Sequence, residues 1–181
     1  MTFSLGLLVA KKHMRAIALL SIVLPLWAVT MMPDVEPQLD RMATIDRFVL
    51  DGPLFLKRTS GEDVRDLGEV ASESTETVPN PHAEGSIRYT KLRFKDGLEI
   101  YFRSFGVPVQ VQFIEVTVTS PKWPIKHGLN VGVPVDDVLR VLGEPTKKSA
   151  EEIAFTGETD QVIFHIKDAH VIQVQFLYYA D

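Results

Sequence analysis

A six-residue stretch that occurs twice in nearly the same form is the feature that most constrains the fold of this chain. VQVQFI occupies residues 109–114 and IQVQFL occupies residues 172–177, so the offset is 63 residues. In both stretches apolar residues alternate with glutamine, which is typical of a strand with one buried side and one side in water. The repeat therefore predicts two related strands with the same inside-to-outside arrangement.

The segments before these strands also match. EDVRDLGE at residues 62–69 corresponds to DDVLRVLGE at residues 136–144. Each predicts a helix: Ser60 suits the N-cap of the first, and Pro134 suits the first turn of the second. Gly68 and Gly143 are expected to end these helices, and Gly143 is expected to have a positive φ.

Strands are predicted at residues 86–94, 98–103 and 108–120 in the first half, and at 152–157, 161–167 and 170–179 in the second. The polar residues 71–86 predict a loop. The order of helix, loop and antiparallel meander thus occurs twice. We expect an α+β fold of two tandem helix-plus-antiparallel-meander units that form one sheet with the helices on one face. A chance echo is the alternative, because Val-Gln alternation is common in strands.

The N-terminal segment has the layout of an export signal. Lys11, Lys12 and Arg15 precede an uncharged run at residues 16–32. A basic flank before an apolar run is typical of a signal peptide, and 17 residues also reach the lower limit for spanning a bilayer. Residues 1–32 are therefore predicted to be a signal peptide or an N-terminal membrane anchor. A linker is expected at residues 33–46 and the tandem domain at 47–181, with unit one at about 47–120 and unit two at about 121–181.

Composition excludes several classes of function. The chain has no cysteine, so disulfides, thiolate metal sites and cysteine nucleophiles are ruled out. After residue 32 there are 16 basic and 24 acidic residues, a formal charge of −8, which disfavours nucleic-acid binding. The sequence contains no hydrolase, zinc-protease, P-loop or dinucleotide motif. We expect no enzyme and no cofactor.

Two histidines raise the question of a metal site. His165 and His170 flank a predicted turn and would face each other across a hairpin. Zinc needs three or four protein ligands, and no third ligand is evident. The residues matched by the repeat, Phe102 and Val107, are apolar. Packing at the end of a hairpin is therefore the favoured interpretation.

The stretch at residues 132–145, GVPVDDVLRVLGEP, reads as G-x-x-x-x-D-V-x-x-x-L-G-x-P. It resembles the helix signature of the SmpA/OmlA (BamE-like) envelope proteins. The tandem helix-plus-meander plan is similar to that of the β-lactamase inhibitory proteins. The resemblance implies this fold and a periplasmic or secreted location, or anchoring to the inner membrane by residues 16–32. The lipid-anchoring cysteine of the first family and the disulfides of the second are absent.

The alternation also predicts which face of the sheet could bind a partner. One face is expected to lie under the helices and to carry Leu98, Ile100, Phe102, Val109, Val111, Phe113, Ile172, Val174 and Phe176. The other is expected to be open and to carry Tyr101, Gln110, Gln112, Gln173, Gln175, Leu177 and Tyr179, together with Val162, Phe164 and Ile166. Aromatic, amide and apolar side chains together are typical of protein interfaces, with an ordinary solvated sheet face as the alternative.

The predicted partner-binding residues are Tyr101, Gln110, Gln112, Phe164, Gln173, Gln175 and Tyr179. We expect an exported, non-catalytic protein-binding domain, with inhibition of the partner as one form of that binding. A membrane-tethered structural or assembly component of the cell envelope is the alternative. In either case the partner is a protein, nucleic acid is not bound, and the membrane is contacted only through the N-terminal segment.

Overall fold

A computed structural model describes residues 35–56 and 63–179. The predicted signal peptide or anchor and the predicted cap Ser60 lie outside these residues. These described residues belong to one compact unit. Among the described residues, no helix is long and apolar enough to cross a membrane.

The described residues form two α-helices and eight strands. The helices are α1 (Val35–Asp51) and α2 (Val135–Leu142), and short 3-10 helices lie at Asp63–Leu67 and Lys126–Gly128. The strands are β1 (Val70–Pro79), β2 (Ser86–Phe94), β3 (Leu98–Phe105), β4 (Gln110–Val118), β5 (Lys147–Lys148), β6 (Glu152–Thr156), β7 (Gln161–Lys167) and β8 (His170–Leu177). This confirms the α+β class.

All eight strands belong to one antiparallel sheet with the order β1-β2-β3-β4-β8-β7-β6-β5. Each run of four strands is a meander, and the two meanders meet where β4 pairs with β8. In that central pairing Val116 lies opposite Phe176 and Val118 opposite Val174. The two strands that carry the repeated stretch are therefore neighbours.

One side of the sheet, here called the apolar face, forms most of the core. Directly opposed residues in antiparallel strands project to the same side, so the register can be followed from strand to strand. It aligns the fully or nearly fully buried residues Leu92, Phe94, Leu98, Ile100, Val116, Val118, Val174, Phe176, Val162, Phe164, Ile153 and Phe155.

Both helices contribute to the same core. In α1, Ile45, Phe48 and Val49 are buried at the i, i+3, i+4 spacing of one helix side, and Phe48 packs near the ring of Phe176. In α2, Val138 and Leu142 are buried. The side of this second helix that carries Val138 and Leu142 thus packs inward.

The predicted stop of α2 is confirmed. Gly143 follows the last helical residue with a φ of 79°, and its N–H donates to the carbonyl of Leu139 at 2.9 Å. Such a φ is unfavourable for residues with a Cβ.

Three local predictions are wrong. The segment expected to be a linker, residues 33–46, supplies most of α1; Pro37 falls in the first turn, where a missing N–H costs little. The first predicted helix is only the 3-10 helix Asp63–Leu67. The expected loop at 71–86 contains β1, an edge strand whose side chains are almost all exposed, so it lacks the apolar alternation that marks half-buried strands.

Candidate protein-binding surface

The side of the sheet opposite the apolar face, here called the polar face, carries most of the predicted binding residues. The register aligns across it Tyr89, Lys91, Arg93, Glu99, Tyr101, Arg103, Gln112, Glu115, Thr117, Gln173, Gln175, Leu177, Gln161, Ile163 and His165. Gln110 pairs with Phe105 at the outer end of the same side and is exposed. Most of the others are half-buried by their neighbours, as expected for closely spaced side chains on a sheet.

A chain of hydrogen bonds holds the outer part of the polar face. The Arg103 Nε–H donates to Gln112 Oε1 at 2.8 Å, and Gln112 Nε2 donates to the carbonyl of Tyr179 at 3.2 Å. Gln112 therefore links β3 to the residues that follow β8. An amide with both ends bonded has few alternative orientations.

A second chain lies across the central strand pair. Gln175 Nε2 on β8 donates to Glu115 Oε1 on β4 at 2.9 Å, and the Thr117 hydroxyl donates to the same oxygen at 3.0 Å. Gln175 is thus positioned by the strand that carries the other copy of the repeated stretch.

Aromatic and charged groups lie beside these amides. The rings of Tyr89 and Tyr101 are 6.1 Å apart. Glu99 accepts bonds from Lys91 and Arg93. Burial acts to raise the pKa of Glu99, but the hydrogen bonds from Lys91 and Arg93 outweigh it and hold the pKa below its ordinary value.

The two histidines do not face each other. His165 lies opposite Gln173, whereas His170 lies opposite Lys167 at the exposed hairpin end, with Nδ1 2.8 Å from the carbonyl of Asp168. The Nε2 atom of His165 is buried and has no hydrogen-bond partner in the part of the chain that the structure describes. Within residues 35–56 and 63–179, no group of three or more His, Asp or Glu side chains could hold a metal ion.

The assignment of β7 to the open face is wrong. Val162 and Phe164 are fully buried, and Ile166 packs against the core. Phe164 lies directly opposite Val174, and such a pair shares one face, so Phe164 cannot belong to the polar face. The expected partner-binding role of Phe164 is therefore withdrawn.

Two residues that were expected on the face under the helices are exposed instead. Val109 lies in the turn before β4 and is 56% exposed. Ile172 is 46% exposed because it is the extra residue of a β-bulge: Gln173 lies opposite His165 and Val171 lies opposite Ile166. The bulge moves Val171 into the core, where it is 1% exposed. Val111 and Phe113 pack against the core as expected.

Several residues of the polar face were missed from the sequence. Tyr89, Arg103 and Glu115 all belong to it, and each interacts with one of the predicted residues. On β2, Tyr89, Lys91 and Arg93 alternate with the buried residues Thr90, Leu92 and Phe94. This alternation is a signal that the sequence contains. The predicted residue Tyr179, two residues after the end of β8, is 58% exposed.

Comparisons with known proteins add no family assignment. No protein-family model matches the sequence, and no curated protein or solved structure is significantly similar to it.

Proposed function

We propose that this chain is an exported, non-catalytic protein-binding domain that recognises its partner with the polar face. Inhibition of the partner is one form that this binding could take. The observation that carries the proposal is the pair of hydrogen-bonded chains, Arg103–Gln112–Tyr179 and Thr117–Glu115–Gln175. They hold amide and charged groups from β3, β4, β8 and the residues after β8 in one array beside Tyr101. Solubility alone does not require such an array.

Pre-organisation is the physical reason why this array favours binding. Immobilising a flexible side chain at an interface costs roughly 0.5–1.5 kcal/mol, and side chains already held by neighbours avoid much of that cost. Tyrosine and arginine are enriched at interface centres, and Tyr89, Tyr101 and Arg103 lie together on β2 and β3. The proposed binding residues are Tyr101, Gln110, Gln112, Gln173, Gln175 and Tyr179.

The tandem architecture is part of the proposal. It is supported by two bulged hairpins: Ile114 is the extra residue on β4 and Ile172 is the extra residue on β8. Aligning the two bulges matches Val116 with Val174 and Val118 with Phe176, and all four are buried. In this alignment equivalent residues of β4 and β8 are 58 apart, not 63 as the repeated stretch suggested.

The central strand pair also supports a tandem origin. Thr117 lies directly opposite Gln175, and these two residues are equivalent in the bulge alignment. Two copies related by a local two-fold axis would pair in this way. We further propose that α1 and α2 lie on one face, since Ile45, Phe48 and Val138 share a core cluster with the apolar face.

A membrane-tethered structural or assembly component of the cell envelope is the second candidate. The apolar run at residues 16–32 favours it, because an uncleaved run would leave the domain beside a membrane. The resemblance of residues 132–145 to the SmpA/OmlA signature is consistent with either candidate.

Photo-crosslinking in cells tests the binding proposal. A photoreactive phenylalanine analogue replaces Tyr101 on the polar face or, as the control, Val141, which is 43% exposed on α2. We expect a discrete protein adduct from position 101 and none of the same mass from 141. The polar face would be ruled out as the binding surface if position 101 gave no adduct, or if positions 101 and 141 gave the same adduct.

Fractionation with N-terminal sequencing separates the two candidates. A soluble exported product that starts near residues 29–33 supports a free protein. Retention of Met1 or Met14 in the membrane fraction supports the tethered component, and a product confined to the cytoplasm would contradict both.

A further inference from the structure

The outer end of the apolar face carries a cleft with a basic and hydroxyl-rich wall. Beyond the core, the register aligns Arg88 on β2 with Ser104 on β3 and Val111 on β4. The next row inward aligns Thr90 with Phe102 and Phe113. Together with Ser86, all of these residues except Phe113 line an open cleft of about 340 Å³.

Within residues 35–56 and 63–179, Arg88 is the cation of this cleft that forms no ion pair. Arg65, on the same wall, is already bound by both carboxylate oxygens of Glu73. Arg88 has no ion pair or side-chain hydrogen bond with the part of the chain that the structure describes. A guanidinium of this kind offers donors in a fork that matches a carboxylate.

Thr90 adds a hydroxyl to the same wall. It is only 1% exposed, and it lines the cleft beside Arg88. A threonine hydroxyl in this position can donate a hydrogen bond to the oxygen of a bound anion. The Ser104 hydroxyl lies in the neighbouring row on the adjacent strand.

An apolar cleft adjoins the basic one. It holds about 530 Å³ and shares Val111 with the basic cleft. Its other lining residues are Leu50, Leu56, Phe113 and Tyr178 and the more polar Gln112, Thr159, Asp160 and Tyr179. Val111 lies two strands from Arg88, roughly 10 Å at the usual strand spacing. Volumes of this size are ordinary for small-molecule sites.

Charge sets the direction in which a ligand would lie. The far wall of the apolar cleft contains Asp160, which is 6% exposed and accepts the Tyr179 N–H at 2.9 Å. Burial and the Asp160 charge raise the pKa of Tyr178, so its hydroxyl stays neutral. An anionic group is therefore favoured at Arg88 and disfavoured at the opposite end.

We propose that these two clefts form one site for a small anionic amphiphile, a single acyl chain with a carboxylate head group. The carboxylate binds Arg88 with support from Thr90 and Ser104, and the chain crosses Val111 into the apolar cleft. Gln112 and Tyr179, two of the proposed partner-binding residues, also line the apolar cleft. The head-group end at Arg88 does not involve them, so a test at Arg88 does not depend on the polar face being a protein-binding surface.

Calorimetric titration of the full chain with monomeric dodecanoate tests the proposal. We expect saturable one-to-one binding that weakens at least about tenfold in Arg88→Ala, the effect of losing a charge-assisted bond, with partial recovery in Arg88→Lys. Arg93→Ala is the matched control, because Arg93 lies on the same strand but on the polar face. Dodecanol, which lacks the charge, should bind at least about tenfold more weakly than dodecanoate.

The outcomes separate the two halves of the site. Val111→Asp should abolish dodecanoate binding, while circular dichroism reports whether the variant remains folded; if it does not, Leu50→Asp at the 64% exposed Leu50 replaces it. Equal affinity for Arg88→Ala and the unmodified chain would overturn the proposal. So would dodecanol binding as tightly as dodecanoate, or equal weakening by Arg93→Ala.

Discussion

The contact that joins α1 to the β6–β7 turn gives the sharpest stability prediction. The Asp46 carboxylate on α1 accepts the backbone N–H groups of Glu158, Thr159 and Asp160 at 2.9, 3.4 and 3.0 Å. Bonds to a charged acceptor contribute roughly 1.5–3 kcal/mol each when well formed. Two of these three are short, but Asp46 is only half-buried, so water partly replaces them. We expect Asp46→Ala to lower the free energy of unfolding by about 2–3 kcal/mol.

Gly157 tests the same contact from the other side. A Cβ at Gly157 would lie 1.9 Å from Asp46 Oδ1 and 2.9 Å from the carbonyl of Met42. Gly157→Ala must therefore push α1 away from the turn, at a cost of about 2 kcal/mol or more. Because Asp46→Ala removes the nearer obstacle, the two substitutions together should destabilise less than their sum, by about 1 kcal/mol.

Urea unfolding followed by circular dichroism measures these effects, with Asp40→Ala on the exposed side of the same helix as the control. For a chain of this size, 1 kcal/mol corresponds to roughly 2–4 °C in Tm. A loss below about 0.5 kcal/mol for Asp46→Ala, the range of ordinary surface changes, would refute the reasoning. Strict additivity with Gly157→Ala would refute the proposed steric origin.

Three further predictions concern single positions. Gly143→Val should lower the free energy of unfolding by about 1–2 kcal/mol through backbone strain alone, because no atom lies within 4 Å of the new Cβ; an unchanged Tm would count against this. Phe164→Ala should cost about 3–5 kcal/mol in urea unfolding, whereas a surface Phe164 would cost almost nothing. The pKa of Glu99 is lower in the folded state than its ordinary 4.5, so its stabilisation is complete above that pH and is lost as pH falls through the folded value. Glu99→Gln should therefore reduce the loss of stability on acidification, and identical acid transitions would contradict the ion-pair assignment.

The sequence predicted strongly patterned elements better than weakly patterned ones. The stop of α2 at Gly143 could be predicted because glycine, a preceding apolar stripe and a following proline all indicate it. The helix α1 was missed because Pro33 and Pro37 near its start suggested a linker. Its residues Ile45, Phe48 and Val49 are buried only because the helix packs against the sheet, and this packing could not be predicted from the sequence.

The two faces of the sheet show what the alternation within single strands cannot predict. Alternation states which residues of one strand share a side, but it does not relate one strand to the next. That relation depends on the register of pairing, so Phe164 was assigned to the wrong face. The bulge at Ile172 shifts the alternation by one residue, and no local signal in the stretch marks it.

The hydrogen bonds across the polar face could not be predicted from the sequence, because they too depend on which strands pair and in which register. Gln175 and Glu115 are 60 residues apart, and only the β4–β8 pairing brings them within 2.9 Å. The sequence did indicate that Gln112, Gln173 and Gln175 point away from the valines beside them. It did not indicate which charged groups they would meet.

Thiol labelling tests the central claim, that the polar face is an accessible surface which a protein partner covers. Because the chain has no cysteine, one introduced residue is the only reactive thiol. In purified protein, Gln175→Cys should react with a membrane-impermeant maleimide far faster than Val174→Cys, whose parent residue is fully buried. In intact cells, labelling at position 175 should be slowed relative to Val141→Cys on α2, because the partner covers the polar face. Equal reactivity at 174 and 175 in the purified protein, or equal slowing at 175 and 141 in cells, would contradict the account.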